Sequence, residues 1–140
     1  LSKLIEYYPI TVIMMPEWSK FEGLFNDNLM KMHAIYFDDD YIDYQNIRTE
    51  SFICKFRNRY DTEPSDYAYQ GFDIGWYFLN ALRVYGDEML NNLPHYDIPL
   101  LGTRFKFVKN DEESGYENIF WNVYQFKGYN KVIVETGYEK

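Results

Sequence analysis

The run Ile10-Thr-Val-Ile-Met-Met15 is apolar and rich in β-branched residues, with Pro9 before it and Pro16 after it. That pattern predicts a short buried strand. Leu1 to Tyr8 reads as the tail of a preceding helix. Ser19 to Asn28 places Phe21, Leu24 and Phe25 on one helical face. Met32-His-Ala-Ile-Tyr-Phe37 predicts a second strand, broken by Asp38-Asp39-Asp40.

A helical period then takes over. Phe52, Ile53, Phe56 and Tyr60 share one face, with Arg57 and Arg59 turned away, and Pro64 closes the unit. Ser65 is placed to cap a second helix, with Asp66 in its first turn, where the helix dipole favours an anion. This helix should reach Tyr85 and stop at Gly86. Tyr69, Phe72, Trp76, Leu79 and Leu82 form its main stripe, and Ile74, Phe78 and Ala81 widen it. So broad an apolar girth predicts burial on more than one side. Gly71 and Gly75 lower helix propensity, and close approach by another backbone would explain them.

Asp87 to Leu93 reads as a short helix before Pro94, and residues 95–102 as loop. Thr103 to Val108 alternates and predicts a strand. Residues 110–115 are a polar loop. Asn118 to Phe126 and Lys131 to Glu135 predict a hairpin turning over Lys127-Gly-Tyr-Asn130. Ile119, Trp121 and Val123 fall on one face; Phe120, Tyr124 and Phe126 fall on the other. Both faces have apolar character, so cover on both is expected. The order strand, strand, two main helices, three strands predicts an α/β fold with a mixed sheet of about five strands. Residues 1–140 read as a single domain.

Composition narrows the function. Aromatic residues make up 21% of the 140 residues, led by 15 Tyr and 11 Phe, enough apolar area to exclude a disordered chain. The net charge of −8, with no basic run, argues against nucleic-acid binding. No stretch approaches the ~18 apolar residues of a membrane span. Cys54 is a lone cysteine in an apolar helical setting and reads as a small buried hydrophobe. His33 and His95 share no ligand or triad spacing, and His33 lies within the second predicted strand. The run 38–40 lacks the alternating spacing of a calcium loop. No catalytic, metal or cofactor constellation is visible.

The stretch Phe52-x-x-x-Phe56-x-x-x-Tyr60, Glu63-Pro64, Tyr67-Ala-Tyr-Gln-Gly-Phe-Asp73, Leu79-Asn-Ala-Leu82 resembles the amino-acid receptors of ABC transporters, the leucine/isoleucine/valine type of type I periplasmic solute-binding proteins. The strand ending in Pro16-Glu17, the strand near Met32–Phe37 and the terminal strand pair fall in the family's order. The resemblance covers about the last two-fifths of the family's length, a scale compatible with one ordinary domain. It implies a fragment threaded between two lobes, at the C-terminal end of a larger cell-envelope protein whose export signal lies upstream. It further implies a module that binds an amino acid or similar small amphipathic ligand without catalysis and partners a transporter. Glu17 would then meet a ligand ammonium group at a strand end, where α/β sheets open into a crevice. Trp18, Tyr67 and Tyr69 would line the same cleft. Aromatic residues stand where the family often has alanines. This motivates an alternative: a receptor-like fold without ligand, serving protein–protein interaction or self-association through an aromatic surface.

Overall fold

The computed structural model describes residues 4, 7–8, 10–15, 17–18, 31–38, 41–127 and 130–136. Its contacts group the chain into two compact units, Leu1–Asp39 with Trp121–Lys140, and Asp40–Phe120. The helix expected over residues 19–28 lies outside the described residues, as do Asp39 and Asp40.

The first unit is built on a four-stranded mixed sheet. Its strands are β1 (Ile13–Met14), β2 (Ile35–Asp38), β5 (Asn122–Lys127) and β6 (Asn130–Thr136), in the order β1-β2-β5-β6. β1 and β2 run parallel; the other neighbours are antiparallel. Tyr36 lies directly opposite Tyr124, and the two rings stack at 5.1 Å. With Met14, Met32, Ala34 and Phe126 they form a buried core. Cross-strand aromatic pairs of this kind are the unit from which sheets draw stability. Phe37 and Trp121 pack at 4.4 Å on the opposite face. That face is only half-buried at Val123 and Gln125, whereas Asn122, Tyr124 and Phe126 are buried. Cover on both faces of the hairpin was expected; full burial is found on one. A register shift between Val123 and Tyr124 marks a bulge in the β5–β6 pair.

The strands are shorter than the apolar runs that encode them. Only Ile13–Met14 of the first run pairs. Met32 and His33 belong to a turn, not to the second strand, and His33 takes a positive φ of 46°. Its imidazole is exposed. A left-handed residue interrupts a strand because it rotates the next peptide out of the ladder, and histidine tolerates that region better than a β-branched residue would.

The second unit carries α1 (Ile47–Tyr60), α2 (Asp66–Tyr85), the short α3 (Met89–Asn92) between two 3₁₀ turns, and a two-stranded antiparallel sheet of β3 (Phe107–Lys109) and β4 (Tyr116–Asn118). α1 starts where the Asn46 side chain accepts from the Arg48 N–H at 2.9 Å. It ends at Asp61, which is left-handed and donates to Arg57 O. Arg57 then grips Glu63 through two hydrogen bonds, 2.7 and 2.9 Å. The pair is exposed, so water screens it; its effect is to orient the turn into α2. Ser65 and Gly86 bound α2 where the sequence places them, Gly86 with a φ of 54°. The Ser65 hydroxyl makes no cap bond; its carbonyl accepts from Ala68 and Tyr69 instead.

α2 buries a different stripe from the one its apolar spacing suggests. Tyr69, Asp73, Tyr77 and Ala81 face inward, while Phe72, Ile74, Trp76, Leu79 and Leu82 are exposed. Burial is therefore on one side. The core of this unit sets Tyr77 among Tyr96, Phe105 and Phe107, with Ala81 and Leu93. The Tyr77 hydroxyl donates to Tyr96 O at 2.9 Å. No atom from outside the helix backbone lies within 4 Å of a Cβ placed at Gly71 or Gly75, so close backbone approach does not account for them. Cys54 is exposed on α1 and not the buried hydrophobe expected. The expected 103–108 strand is reduced to Phe107–Lys109. Its partner β4 is taken from the start of the expected hairpin arm, which splits between the two sheets.

Candidate ligand-binding site

The four residues singled out in the sequence fall in different settings. Glu17 and Trp18 share a 3₁₀ turn just past the carboxyl end of β1, closed by the Trp18 N–H donating to Met15 O at 3.1 Å. Both side chains are exposed. The adjacent parallel strand β2 ends on the same side of the sheet, the side at which ligands collect in open α/β sheets. A carboxylate beside an indole suits an ammonium group attached to an apolar body.

Tyr67 and Tyr69 lie in the second unit, two residues apart on α2 and hence on opposite sides of it. Tyr67 is 83% exposed. Tyr69 is 4% exposed, packed on Phe52 at 5.2 Å and edge-on to Tyr44 at 6.3 Å. Burial pushes its phenol pKa above the usual value. Tyr69 is thus a packing residue that joins α1 to α2, not a cleft-lining one.

Two features of the second unit escaped the sequence. The first is the surrounding of Asp73. Its carboxylate is 0% exposed and accepts three backbone N–H groups: Leu101 at 2.8 Å, Gly102 at 2.9 Å and Thr103 at 2.9 Å. Successive backbone donors converging on one carboxylate bind the 101–103 segment to the middle of α2. Gly102 is required there. A Cβ at 102 would stand 2.8 Å from Ile42 Cγ1 and 3.3 Å from Tyr41 O, and Tyr41 N donates to Gly102 O at 3.1 Å. The Phe72-Asp73 pair was legible as a motif; the segment it holds, about thirty residues later, was not.

The second feature follows from the first. With residues 96–101 held beside α2, a groove of about 630 Å³ opens between that segment, α1 and α2. Its apolar side carries Phe52, Phe72 and Trp76. Phe72 and Trp76 stack with 8° between planes, and Phe52 meets Phe72 at 4.8 Å. Arg48, Lys55 and Arg83 also line it. The volume lies in the range of small-molecule sites. The only sequence signal was the seven-residue spacing of Arg48 and Lys55 on α1, which charge composition alone does not distinguish from a solvated face.

Among the described residues no group of His, Cys, Asp and Glu is arranged to hold a metal ion, and no helix is long and apolar enough to cross a membrane.

No family model matches the chain, and no curated protein matches it in sequence. Among solved structures it is similar to an ABC transporter substrate-binding protein from Desulfitobacterium hafniense, determined in complex with Leu. The TM-score is 0.50 and the identity 14%, over 95% of this chain and 38% of that one. The chain thus spans less than two-fifths of the length of the protein it matches. At this identity the likeness is one of fold: nearly the whole chain follows the path of part of a periplasmic-binding-protein-like α/β structure.

Proposed function

We propose that this chain is the C-terminal portion of a cell-envelope solute-binding protein, which takes an amino acid or another small amphipathic ligand and hands it to a transporter without chemistry. The observation that carries this reading is the shared α/β path over 95% of the chain. The exposed Glu17–Trp18 pair past the end of a parallel strand supports it: the carboxylate would bind the ligand ammonium and the indole its side chain. Tyr67, free of the core, offers a separate aromatic contact; Tyr69 supports α2 from beneath. Thermal melting with a panel of amino acids and short peptides tests this. A ligand present at about 100 times its Kd should add about 2.7 kcal/mol of stability. The gain should vanish in Glu17→Ala. If no ligand in the panel shifts either protein, the reading fails.

A second reading draws on the outer side of α2. Ile74, Trp76, Leu79 and Leu82 leave an apolar face in water, with Leu79 69% exposed. Such faces serve protein contacts. Sedimentation that shows concentration-dependent association, weakened by Leu79→Lys, would favour a protein-interaction role. A strict monomer would remove it.

A further inference from the structure

We propose that the groove between α1, α2 and residues 96–101 is a binding site for a small amphipathic carboxylate: an aromatic or branched aliphatic body bearing one anionic end. Its charge is the first argument. The chain carries a net charge of −8, yet the groove is lined by Arg48, Lys55 and Arg83 and by no Asp or Glu. Among the described residues neither Lys55 nor Arg83 forms an ion pair. Low-dielectric walls bearing one sign of charge concentrate ligands of the opposite sign.

The placement of the cations is the second argument. Arg48 Nη1 donates to Pro99 O at 3.1 Å, which fixes the guanidinium against the groove wall and leaves its other N–H groups for a ligand. On α2, Asn80 Nδ2 donates to Trp76 O at 2.7 Å while Asn80 Oδ1 accepts from Arg83 Nη2 at 3.5 Å. Arg83, two helical turns after Trp76, lies on the same helix face and lines the groove with it. Preorganised guanidinium groups beside an apolar surface are the donors best matched to a carboxylate.

The third argument is the apolar side. Phe72 and Trp76 form a stacked pair that is only partly buried, and Phe52 closes it from α1. An aromatic or branched body covers these rings, and its carboxylate then reaches the cations. A free ammonium on the ligand finds no counter-charge in the groove. The site therefore selects against the zwitterions that Glu17 would favour, and it stands independently of Glu17.

The test uses three probes of one shape, 3-phenylpropionate, 3-phenylpropylamine and 3-phenylpropanol, titrated into the protein and followed by backbone amide NMR. The carboxylate should bind at least about tenfold more tightly than the other two, a gap equivalent to one well-placed charge contact. Shifts should centre on residues 48–55, 76–84 and 96–101. The double variant Lys55→Gln/Arg83→Gln, altered only at exposed positions, should melt like the wild type and lose about tenfold in carboxylate affinity. Glu17→Ala should bind the carboxylate as the wild type does, which separates this site from the one proposed above. Equal affinity for the three probes, shifts elsewhere, or unchanged binding in the double variant would overturn the proposal. So would an acidic amphipathic peptide that occupies the groove far more tightly than any small carboxylate, since the occupant would then be a polypeptide.

Discussion

Removing the Asp73 carboxylate should undo the second unit more than any single apolar truncation on the outer side of α2. The side chain is fully buried and accepts three backbone N–H groups at 2.8–2.9 Å. In Asp73→Ala those donors lose their partner. Leu101 and Thr103 are themselves buried, whereas Gly102 is partly open to solvent and can recruit water. Each orphaned buried donor costs about 1–3 kcal/mol. Two such donors, less the relief of no longer burying a charge, give a loss of about 3 kcal/mol. Asp73→Asn keeps the shape and one acceptor. Its amide oxygen can serve Gly102 and Thr103, but its NH₂ then faces the Leu101 N–H. One donor is left unmet and the charge assistance is gone, so the loss should be about 2 kcal/mol. Urea unfolding measures both values, and amide exchange at residues 101–103 reads the local effect. The order wild type, Asn, Ala is the signature. If Asp73→Ala loses less than about 1 kcal/mol and the three amides stay protected, the carboxylate is not what holds the segment, and the reasoning is wrong. Should the Ala variant not fold, the Asn variant still gives the comparison.

Other substitutions follow from the same geometry. Gly102→Ala should cost about 1–3 kcal/mol in urea unfolding, because its Cβ meets Ile42 Cγ1 at 2.8 Å and the Tyr41 backbone at 3.3 Å. Gly75→Ala should raise stability by about 0.5–1 kcal/mol, since the new methyl meets nothing within 4 Å and the helix interior gains propensity. Thr49 is fully buried, and its hydroxyl has no hydrogen-bond partner among the described residues; Thr49→Val should therefore be neutral or stabilising by up to about 1 kcal/mol in thermal melting. Burial, and next the nearby Tyr96 once it ionises and the Asp97 carboxylate, push the Tyr77 phenol from 10.0 up to about 12. A raised folded pKa means that the native state holds its proton where the unfolded chain has lost it. The Tyr77 contribution is thus complete below pH 10 and disappears as pH rises from 10 towards 12. Stability measured across that window should fall less steeply in Tyr77→Phe.

Much of the fold was legible because its signals are local. The Ser65 and Gly86 boundaries of α2 depend on one or two residues each: Ser65 stands at the N-cap position in extended conformation, without a side-chain cap bond, and Gly86 takes the positive φ that ends the helix. The α/β class, two main helices and the terminal hairpin come from periodicities read within a dozen residues. The inward face of α2 was not legible. Its apolar residues run round the whole helix, so spacing alone ranks Phe72, Trp76 and Leu79 as well as Tyr77. What favours the Tyr69–Asp73–Tyr77–Ala81 stripe is the Asp73 carboxylate, which faces the three N–H donors that compensate its burial, and those lie on a segment 28 to 30 residues away. The split of the expected hairpin arm between two sheets has a similar origin, since Tyr116–Asn118 finds its partner in Phe107–Lys109. The candidate site divides along the same line. Glu17 and Trp18 could be chosen from a strand end, a local feature. The groove could not, because Arg48, Lys55, Phe72, Trp76 and Arg83 become neighbours only when the 96–101 segment is tied down. Sequence alone determined the fold class and the bounds of the two main helices, through periodicity and backbone propensity, while strand ends waited on their pairing partners. Tertiary structure decided which faces pair and which stay open, because burial depends on partners distant in the chain.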